Sequence, residues 1–207
     1  MARNPATIAF WRGRLPHWEV ADGRYFVTLH LQGAIPERGV QEIRACSADL
    51  ERLAQHDRDG RLRVQRQIFA AMEAWLDQAT LVRHLEHQAV AAMVIEAIRF
   101  RQGRDWRMYE YVLMPNHLHL FFEIDGKANA NAGRLKQVLE QFKRWTGHQA
   151  GQLLGLDGAR FWQDEWFDHW SRSDEEDERI IGYIRQNPVK ARLVSDYQQW
   201  PYGSWAK

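Results

Sequence analysis

Two β-prone segments, Trp106–Met114 and His117–Ile124, constrain the fold most, because only a Met-Pro-Asn sequence at 114–116 separates them. Proline cannot donate to a β-ladder and asparagine tolerates turn geometry, so this tripeptide predicts a tight turn. Two strands with so short a connection pair as an antiparallel hairpin. The chain is therefore expected to build an antiparallel sheet around this hairpin.

Hydrophobic periodicity predicts the elements that accompany the hairpin. Residues 25–31 alternate weakly and are rich in β-formers, which predicts a strand, whereas residues 1–23 look irregular. Helical spacing of apolar residues predicts helices over 37–55, 61–77, 87–101 and 134–148, and loops are expected at 126–133 and 151–158. A Ser-Asp-Glu-Glu sequence at 173–176 is typical of a capping box that begins one more helix. This order predicts an α+β fold in which helices cover a small antiparallel sheet.

Composition and charge limit the class of protein. The 207 residues, of which 45% are hydrophobic, suit one globular domain. The formal net charge of +1 means that any nucleic-acid-binding surface has to be local. Cys46 is the single cysteine, so it forms no intrachain disulfide, and no apolar run reaches the length needed to span a bilayer. A cytoplasmic protein without membrane association is expected, with most of its ten tryptophans in the core and a few as candidates for stacking on unpaired bases.

His117 and His119 form the sharpest local feature. Residues two apart on a strand point to the same face, so both imidazoles can reach one metal ion while Leu118 points toward a core. Such a strand is a rigid platform for two ligands, and a third ligand is needed to complete the site. The spacing alone equally suits two ordinary histidines on a half-exposed strand.

Tyr183 and Asn187 share a face of the capped helix because they are four residues apart. A tyrosine hydroxyl acts as a nucleophile when a metal or a base activates it, and an asparagine carbonyl can complete a coordination sphere with two imidazoles. The alternative is structural, since Ile180, Tyr183 and Ile184 also form a helical stripe that suits a core aromatic.

Several sequence blocks together resemble the REP-associated tyrosine transposases, a family of single-tyrosine HUH transposases. Leu113–Leu120 (LMPNHLHL) resembles their histidine signature, and Tyr183–Lys190 (YIRQNPVK) resembles their tyrosine block. Further similar segments are Tyr25–Gly33, Leu76–Asp77, Phe161–His169 and Trp200–Ser204, so the resemblance covers the chain from about Leu15 to Ser204 in the same order.

The chain departs from the family pattern at three places outside the presumed chemistry. Arg192 stands where the family usually has glycine, Trp200 is followed by Pro-Tyr-Gly-Ser, and residues 78–80 lack a basic, glycine-containing run.

The resemblance implies a ferredoxin-like (RRM-like) sheet with the two histidines on a central strand. It implies a single HUH transposase-like domain over 1–207, with a helical elaboration at about 37–80 and an irregular tail at about 193–207. His117, His119 and Asn187 would hold Mg²⁺ or Mn²⁺, and Tyr183 would cut single-stranded DNA through a covalent 5′-phosphotyrosine intermediate. The implied substrate is hairpin-forming palindromic DNA of the extragenic repeats of bacterial chromosomes, and the implied location is the cytoplasm, in association with the nucleoid.

Basic residues around the tyrosine and on the helix over 134–148 are the candidates for DNA binding. Those near the tyrosine are Arg185, Lys190 and Arg192, and those on the helix are Lys136, Lys143 and Arg144. Phosphate contacts of this kind would make binding strongly salt-dependent. A solvated helix face is the alternative for the helix set. An N-terminal arm with Trp11, Arg12, Arg14 and Trp18 is a further candidate, and a segment packed on the body is its alternative.

Two other functions stay open at the level of sequence. The same fold could bind DNA or RNA hairpins without cutting them, as a regulator, or it could use a metal-bound water instead of the tyrosine. Either a monomer or a homodimer is compatible with the sequence.

Overall fold

A computed structural model describes residues 3, 5–12, 15–53, 58–78, 81–125 and 134–206 of the chain. The described residues form six strands and five α-helices. In chain order these are β1 (Thr7–Arg12), β2 (Pro16–Val20), β3 (Arg24–His30), α1 (Glu37–Arg52), α2 (Arg58–Leu76), α3 (Gln88–Arg101), β4 (Trp106–Leu113), β5 (His117–Ile124), α4 (Arg134–Leu154), β6 (Phe167–Trp170) and α5 (Asp174–Lys190). None of the helices in these ranges has an apolar stretch long enough to cross a bilayer.

A four-stranded antiparallel sheet organises the fold, with the strand order β4-β5-β3-β6. Within the sheet the chain runs strand, helices, strand, strand, helix, strand, and the first strand lies between the third and the fourth. This is the ferredoxin-like arrangement, so the α+β fold class expected from the sequence is confirmed. The predicted β4–β5 hairpin is confirmed too, and β5 is an inner strand of the sheet.

One face of the sheet is apolar and lies beneath α3 and α4. Leu118, Leu120 and Phe122 of β5 point to this face and are fully buried. The Trp106 ring lies 5.5 Å from the Phe142 ring of α4, and the Trp106 indole nitrogen donates to a backbone carbonyl of α3 over 3.2 Å. Removing this much apolar surface from water is the main source of stability for such a layer.

The opposite face of the sheet lies beneath α2 and α5. Helix α2 belongs to an antiparallel pair with α1, inserted between β3 and α3. Ile68, Met72 and Leu76 of α2 recur every four residues and are buried, which places one stripe of the helix against the body. The Trp75 indole nitrogen donates to the Glu42 carboxylate over 3.0 Å and joins the two helices. We call this pair the α1–α2 hairpin.

The prediction that residues 1–23 are irregular is wrong, because β1 and β2 form an antiparallel hairpin. Strand β2 begins at Pro16, and a proline is compatible with a strand end or an edge strand. The hairpin packs on the body: the buried His17 ring is hydrogen-bonded to Asp168 of β6. The Glu19 carboxylate accepts from the backbone nitrogens of Arg134 and Leu135 over 3.1 and 3.3 Å, and thereby caps the N-terminus of α4.

Other element boundaries shift moderately. Helix α4 continues to Leu154, so the loop predicted at 151–158 is wrong in its first four residues. The short strand β6 was not predicted, and α2 begins at Arg58 instead of residue 61. The predicted cap of α5 is confirmed in part: Ser173 Oγ accepts from the Glu176 nitrogen over 3.2 Å, while the Glu176 carboxylate accepts from the Arg172 nitrogen. The loop predicted at 126–133 lies outside the described residues.

Candidate active site

The two histidines lie side by side on the inner strand β5, on the face opposite the apolar core. His117 and His119 are 1% and 0% exposed, and their ring centroids are 4.6 Å apart. The period of two along the strand puts both rings on one face, as the sequence predicted. Two fully buried imidazoles in contact call for partners or a ligand.

Each imidazole is held through its Nδ1 atom by a neighbouring side chain. His119 Nδ1 lies 2.9 Å from the Thr28 hydroxyl on β3, its cross-strand partner, and His117 Nδ1 lies 2.7 Å from the Asn116 side-chain oxygen. Both rings therefore direct Nε2 into the space beneath α2 and α5. Fixing one ring nitrogen to orient the other is the usual arrangement of ligand histidines.

Asn116 has a second role that sequence reasoning missed. The turn was read from its backbone preference alone, but the Asn116 amide nitrogen also donates to the Leu76 carbonyl at the end of α2 over 2.9 Å. A buried side chain (4% exposed) thus ties the turn, the first histidine and the end of α2 together.

Helix α5 brings the tyrosine and the asparagine to the histidines. Asn187 Nδ2 lies 3.1 Å from the Tyr183 hydroxyl and 3.2 Å from His119 Nε2, which shows that the two residues share a helix face. The Tyr183 ring lies against the rings of Phe26, Phe69 and His119, with centroid distances of 5.9, 5.5 and 5.5 Å. The structure brings together all four residues that the sequence singled out for chemistry.

Glu73 is a fifth member of the site, and the sequence analysis did not identify it. It lies on α2 and is 4% exposed, its Oε2 atom accepts a hydrogen bond from the Tyr183 hydroxyl, and that atom is 3.6 Å from His119 Nε2. Glu73 lies four residues after Phe69, about one helical turn, and next to the buried Met72. A carboxylate among the apolar residues of a helix face is the sequence signal that could have revealed it.

The donor atoms around this space fit a divalent cation. One atom each of Glu73, His117 and His119 lies within 4.8 Å of the others. Three buried side-chain atoms here have no hydrogen-bond partner among the described residues, namely Glu73 Oε1, His117 Nε2 and Asn187 Oδ1. Buried polar atoms are normally paired, so their convergence indicates a ligand with positive charge. Imidazole nitrogens together with oxygen donors, and without thiolates, form a ligand set for a divalent cation.

The charges at the site are arranged for binding a cation. Burial, together with the neighbouring His119, lowers the pKa of His117 to about 3, so its imidazole is neutral at neutral pH. Burial alone would raise the pKa of Glu73, but His119, His117 and the Tyr183 hydroxyl lower that pKa to about 2. Burial and the Glu73 charge raise the pKa of Tyr183, which therefore carries its proton in the absence of a cation.

The six basic residues proposed for DNA binding fall into two groups. Lys190 and Arg185 flank the tyrosine on α5. Lys190 Nζ lies 5.8 Å from the Tyr183 ring centroid and 2.8 Å from the Asp77 carboxylate. Arg185 Nε donates to the carboxylate of the buried Glu110 over 2.7 Å. Arg192 follows the helix with a φ of 58° and is exposed, in a conformation that favours glycine, which the family usually has there.

The second group lies on α4, which covers the other face of the sheet. Lys136 and Arg144 are exposed, whereas Lys143 lies 5.0 Å from the Trp166 ring centroid, and burial lowers the pKa of Lys143 to about 8. Lys143 and Arg144 line a groove together with Trp11 and Trp166. The aromatic N-terminal segment is thus packed on the body, with Trp11 stacked on His17. Arg14 and the Arg12 side chain lie outside the described part of the chain.

Comparison with known proteins agrees with this fold. The class that the fold defines is that of ferredoxin-like α+β proteins: a solved structure of a REP-associated tyrosine transposase bound to a REP hairpin superposes with a TM-score of 0.50 at 16% identity, over 91% of this chain and 80% of that one. No family model matches the chain.

Two curated relatives are similar to the chain over about half of its length. The chain is 27% identical over 97 residues to a putative REP-associated tyrosine transposase of Haemophilus influenzae, which is 45% of this chain and 55% of the relative. It is 21% identical over 108 residues to the REP-associated tyrosine transposase of Escherichia coli, which is 52% of this chain and 59% of the relative. The matches thus span somewhat more than half the length of each relative. They confirm the resemblance to REP-associated tyrosine transposases that the sequence blocks indicate.

Proposed function

We propose that the protein is a metal-dependent endonuclease and strand transferase that acts on hairpin-forming single-stranded DNA through a covalent 5′-phosphotyrosine intermediate. The observation that carries the proposal is the contact of the Tyr183 hydroxyl with Asn187, and of Asn187 with His119, around three buried donor atoms that no described residue pairs with. A nucleophile and a set of cation ligands are thus within hydrogen-bond reach of one another.

His117, His119 and Asn187 would hold the divalent cation, through Nε2 of the imidazoles and Oδ1 of the amide. A bound cation would polarise the scissile phosphate and offset the charge that develops on it in the transition state. Thr28 and Asn116 keep the two imidazoles in place through their Nδ1 atoms. Asn187 contributes to both parts of the site, since its amide nitrogen contacts the tyrosine hydroxyl.

In the reaction, the Tyr183 oxygen attacks phosphorus in line with the leaving group. The bond from the tyrosine oxygen to phosphorus forms as the tyrosine O–H bond and the bond from phosphorus to the 3′ oxygen break. Overall the phenolic proton is replaced by phosphorus and the 3′ oxygen gains a proton, so the DNA strand leaves with a free 3′ hydroxyl. The tyrosine remains esterified to the 5′ phosphate. Because this ester conserves the bond, an incoming 3′ hydroxyl can reverse the step and join strands without ATP.

The proposed substrate class is supported by the resemblance to the relatives and by basic residues near the tyrosine and on α4. The two curated relatives are named as REP-associated tyrosine transposases, and the solved relative is bound to a REP hairpin. Arg185, Lys190 and Arg192 at the tyrosine are proposed to contact phosphates near the cut. Lys136, Lys143 and Arg144 on α4 are proposed to contact the DNA farther away, since α4 covers the other face of the sheet. The α1–α2 hairpin is proposed to be the elaboration of a single transposase-like domain.

The test is a cleavage assay with single-stranded hairpin oligonucleotides from the genomic neighbourhood of the gene, labelled at either end, with and without Mn²⁺. Denaturing gels would compare the wild type with Tyr183→Phe and His119→Ala, and Tyr111→Phe would serve as the matched control. Tyr111 is a buried tyrosine that pairs with Leu120, on the apolar face of the sheet.

The expected result is a covalent adduct on the strand with the 5′ phosphate. It is absent in Tyr183→Phe and His119→Ala and present in Tyr111→Phe. Metal-dependent cutting that survives Tyr183→Phe would overturn the tyrosine assignment in favour of a water nucleophile. Tight binding of cognate hairpins without any cutting would identify a non-cutting regulator.

A further inference from the structure

Among the described site residues, Glu73 comes from the α1–α2 hairpin. The two histidines come from the sheet, and Tyr183 and Asn187 come from α5. The two carboxylate oxygens of Glu73 differ in their surroundings. Oε2 accepts the hydrogen bond of the Tyr183 hydroxyl, and Oε1 is buried without a hydrogen-bond partner in the part of the chain that the structure describes. An unpaired oxygen on a buried charged group destabilises a protein unless a ligand compensates it.

A cation shared with the histidines would compensate Glu73 Oε1. Ligand atoms that sit roughly 2.0–2.1 Å from an ion of this size are separated from one another by roughly 3–4 Å. Glu73 Oε2 lies 3.6 Å from His119 Nε2, and the three-residue set lies within 4.8 Å, so small side-chain movements bring the carboxylate to such separations. A carboxylate also supplies the hard negative oxygen that Mg²⁺ and Mn²⁺ prefer, which two imidazoles and an amide lack.

We propose that Glu73 is a further ligand of the cation at this site, supplied by the α1–α2 hairpin, and that the same carboxylate anchors the Tyr183 hydroxyl beside the cation. This inference rests on the proposed function, because it takes His117, His119 and Asn187 to hold a cation. If Glu73 is a ligand, helix α2 is part of the metal centre. Cation binding then fastens the α1–α2 hairpin to the sheet, and it places the nucleophile at the same time.

The first test measures Mn²⁺ affinity from the electron paramagnetic resonance signal of free Mn²⁺, without DNA and without turnover. Glu73→Gln keeps the size of the side chain and a group that can contact Tyr183, but it removes the charge. We expect the Mn²⁺ affinity of Glu73→Gln to fall about tenfold or more, because the loss of even a residue that only orients a ligand lowers metal affinity by about 10–100-fold. Glu42→Gln is the matched control, because Glu42 is a carboxylate of the same hairpin that contacts Trp75 outside the site.

The second test requires no variant, so it stands even if Glu73→Gln fails to fold. Wild-type protein is produced with ¹³C in the carboxylate of glutamate and loaded with Mn²⁺, and the ¹³C hyperfine coupling is recorded by electron–nuclear double resonance. A directly bound carboxylate gives a strong coupling, whereas a carboxylate that acts only through its charge does not.

The outcomes separate this inference from the proposed function. Weakened Mn²⁺ binding in Glu73→Gln with unchanged binding in Glu42→Gln, or a strong ¹³C coupling in the wild type, supports Glu73 as a ligand. If His119→Ala loses Mn²⁺ while Glu73→Gln binds as tightly as the wild type and no coupling is seen, the inference fails and the proposed function stands. If the wild type itself binds no Mn²⁺, the proposed metal site fails and the inference fails with it.

Discussion

The two faces of strand β5 differ in how their buried groups are satisfied. On one face, Leu118, Leu120 and Phe122 pack under α3 and α4, and their burial by itself stabilises the fold. On the other face, His117 and His119 are just as buried, yet they lie among donor atoms that have no partner within the described structure. A single strand thus contributes stability on one side and, under the proposed function, chemistry on the other, where the unpaired donor atoms would hold a cation.

The largest expected effect contrasts the two faces directly. Phe122→Ala leaves a cavity beside Trp106 and Tyr25 and is expected to lower the free energy of unfolding by about 3–5 kcal/mol. His119→Ala, measured with a chelator present, removes mainly polar contacts and is expected to lower it by about 1–2 kcal/mol. Urea denaturation followed by circular dichroism compares the two variants. Equal losses would mean that the two faces stabilise the fold alike.

The next prediction concerns the link between α2 and the first histidine. Asn116→Ala removes the partner of His117 Nδ1 and of the Leu76 carbonyl, so a loss of about 1–3 kcal/mol in unfolding free energy is expected. Mn²⁺ affinity should fall about 10–100-fold because the imidazole loses its orientation. Gln102→Ala is the control, since that side chain accepts from the Met108 nitrogen at the far end of β4. A weaker Mn²⁺ affinity in both variants would point to general loosening of the sheet.

A third prediction concerns the pH dependence of stability. It uses the buried cluster around His17, in which the imidazole is hydrogen-bonded to carboxylates of the protein. His17 contacts Asp168 and Glu165, and although burial alone would lower its pKa, these carboxylates raise it to about 9. Since the folded-state pKa lies above the unfolded value near 6.5, the stabilisation is complete below about pH 6.5 and is lost as the pH rises through 9. Unfolding free energy should fall by about 1–3 kcal/mol across that range.

The control for this pH dependence is a pair of variants. Asp168→Asn removes the main partner of His17 and should flatten the decline, while His148→Asn alters an exposed histidine on α4 and should leave it unchanged. Chemical denaturation at several pH values provides the measurement. A decline that persists in Asp168→Asn would assign it to another group.

The smallest expected effect concerns α4, the helix that covers the apolar face. If Arg144 contacts a DNA phosphate, Arg144→Ala should reduce the slope of log affinity against log salt by about 0.7, the value for one contact to a single strand. Arg83→Ala is the control, because Arg83 pairs with Glu86 over 2.9 Å and is not among the proposed contacts. Fluorescence anisotropy with a labelled hairpin at several salt concentrations measures the slope. An unchanged slope in Arg144→Ala would mean that Arg144 contacts no DNA phosphate and that this helix face is exposed only to solvent.

The sequence predicted those parts of the fold that depend on local patterns. The β4–β5 hairpin follows from the Met-Pro-Asn turn, and the shared face of Tyr183 and Asn187 follows from their spacing on a capped helix. Strand β6 escaped prediction because it has only four residues, and β2 did because it begins with Pro16. In both cases tertiary pairing outweighs a weak local signal.

The site was predictable only where its residues lie close together in the sequence. Glu73 is far from His117 along the chain, and its helix was read for apolar spacing, in which a single carboxylate carries little weight. Its proximity to the histidines depends on how the α1–α2 hairpin docks on the sheet, and no local pattern specifies that. The partner of the Asn116 amide, a carbonyl of the same hairpin, was hidden for the same reason.

The near-complete enclosure of His117, His119, Asn187 and Glu73, none more than 4% exposed, has a consequence for how the protein would acquire its metal. An ion held there could leave only when α2 or α5 opens, so its exchange would be governed by local unfolding and not by diffusion. Exchange with an added cation would then be slow. The metal found in a purified sample would report the conditions of synthesis, and refolding in a chosen cation would set its identity.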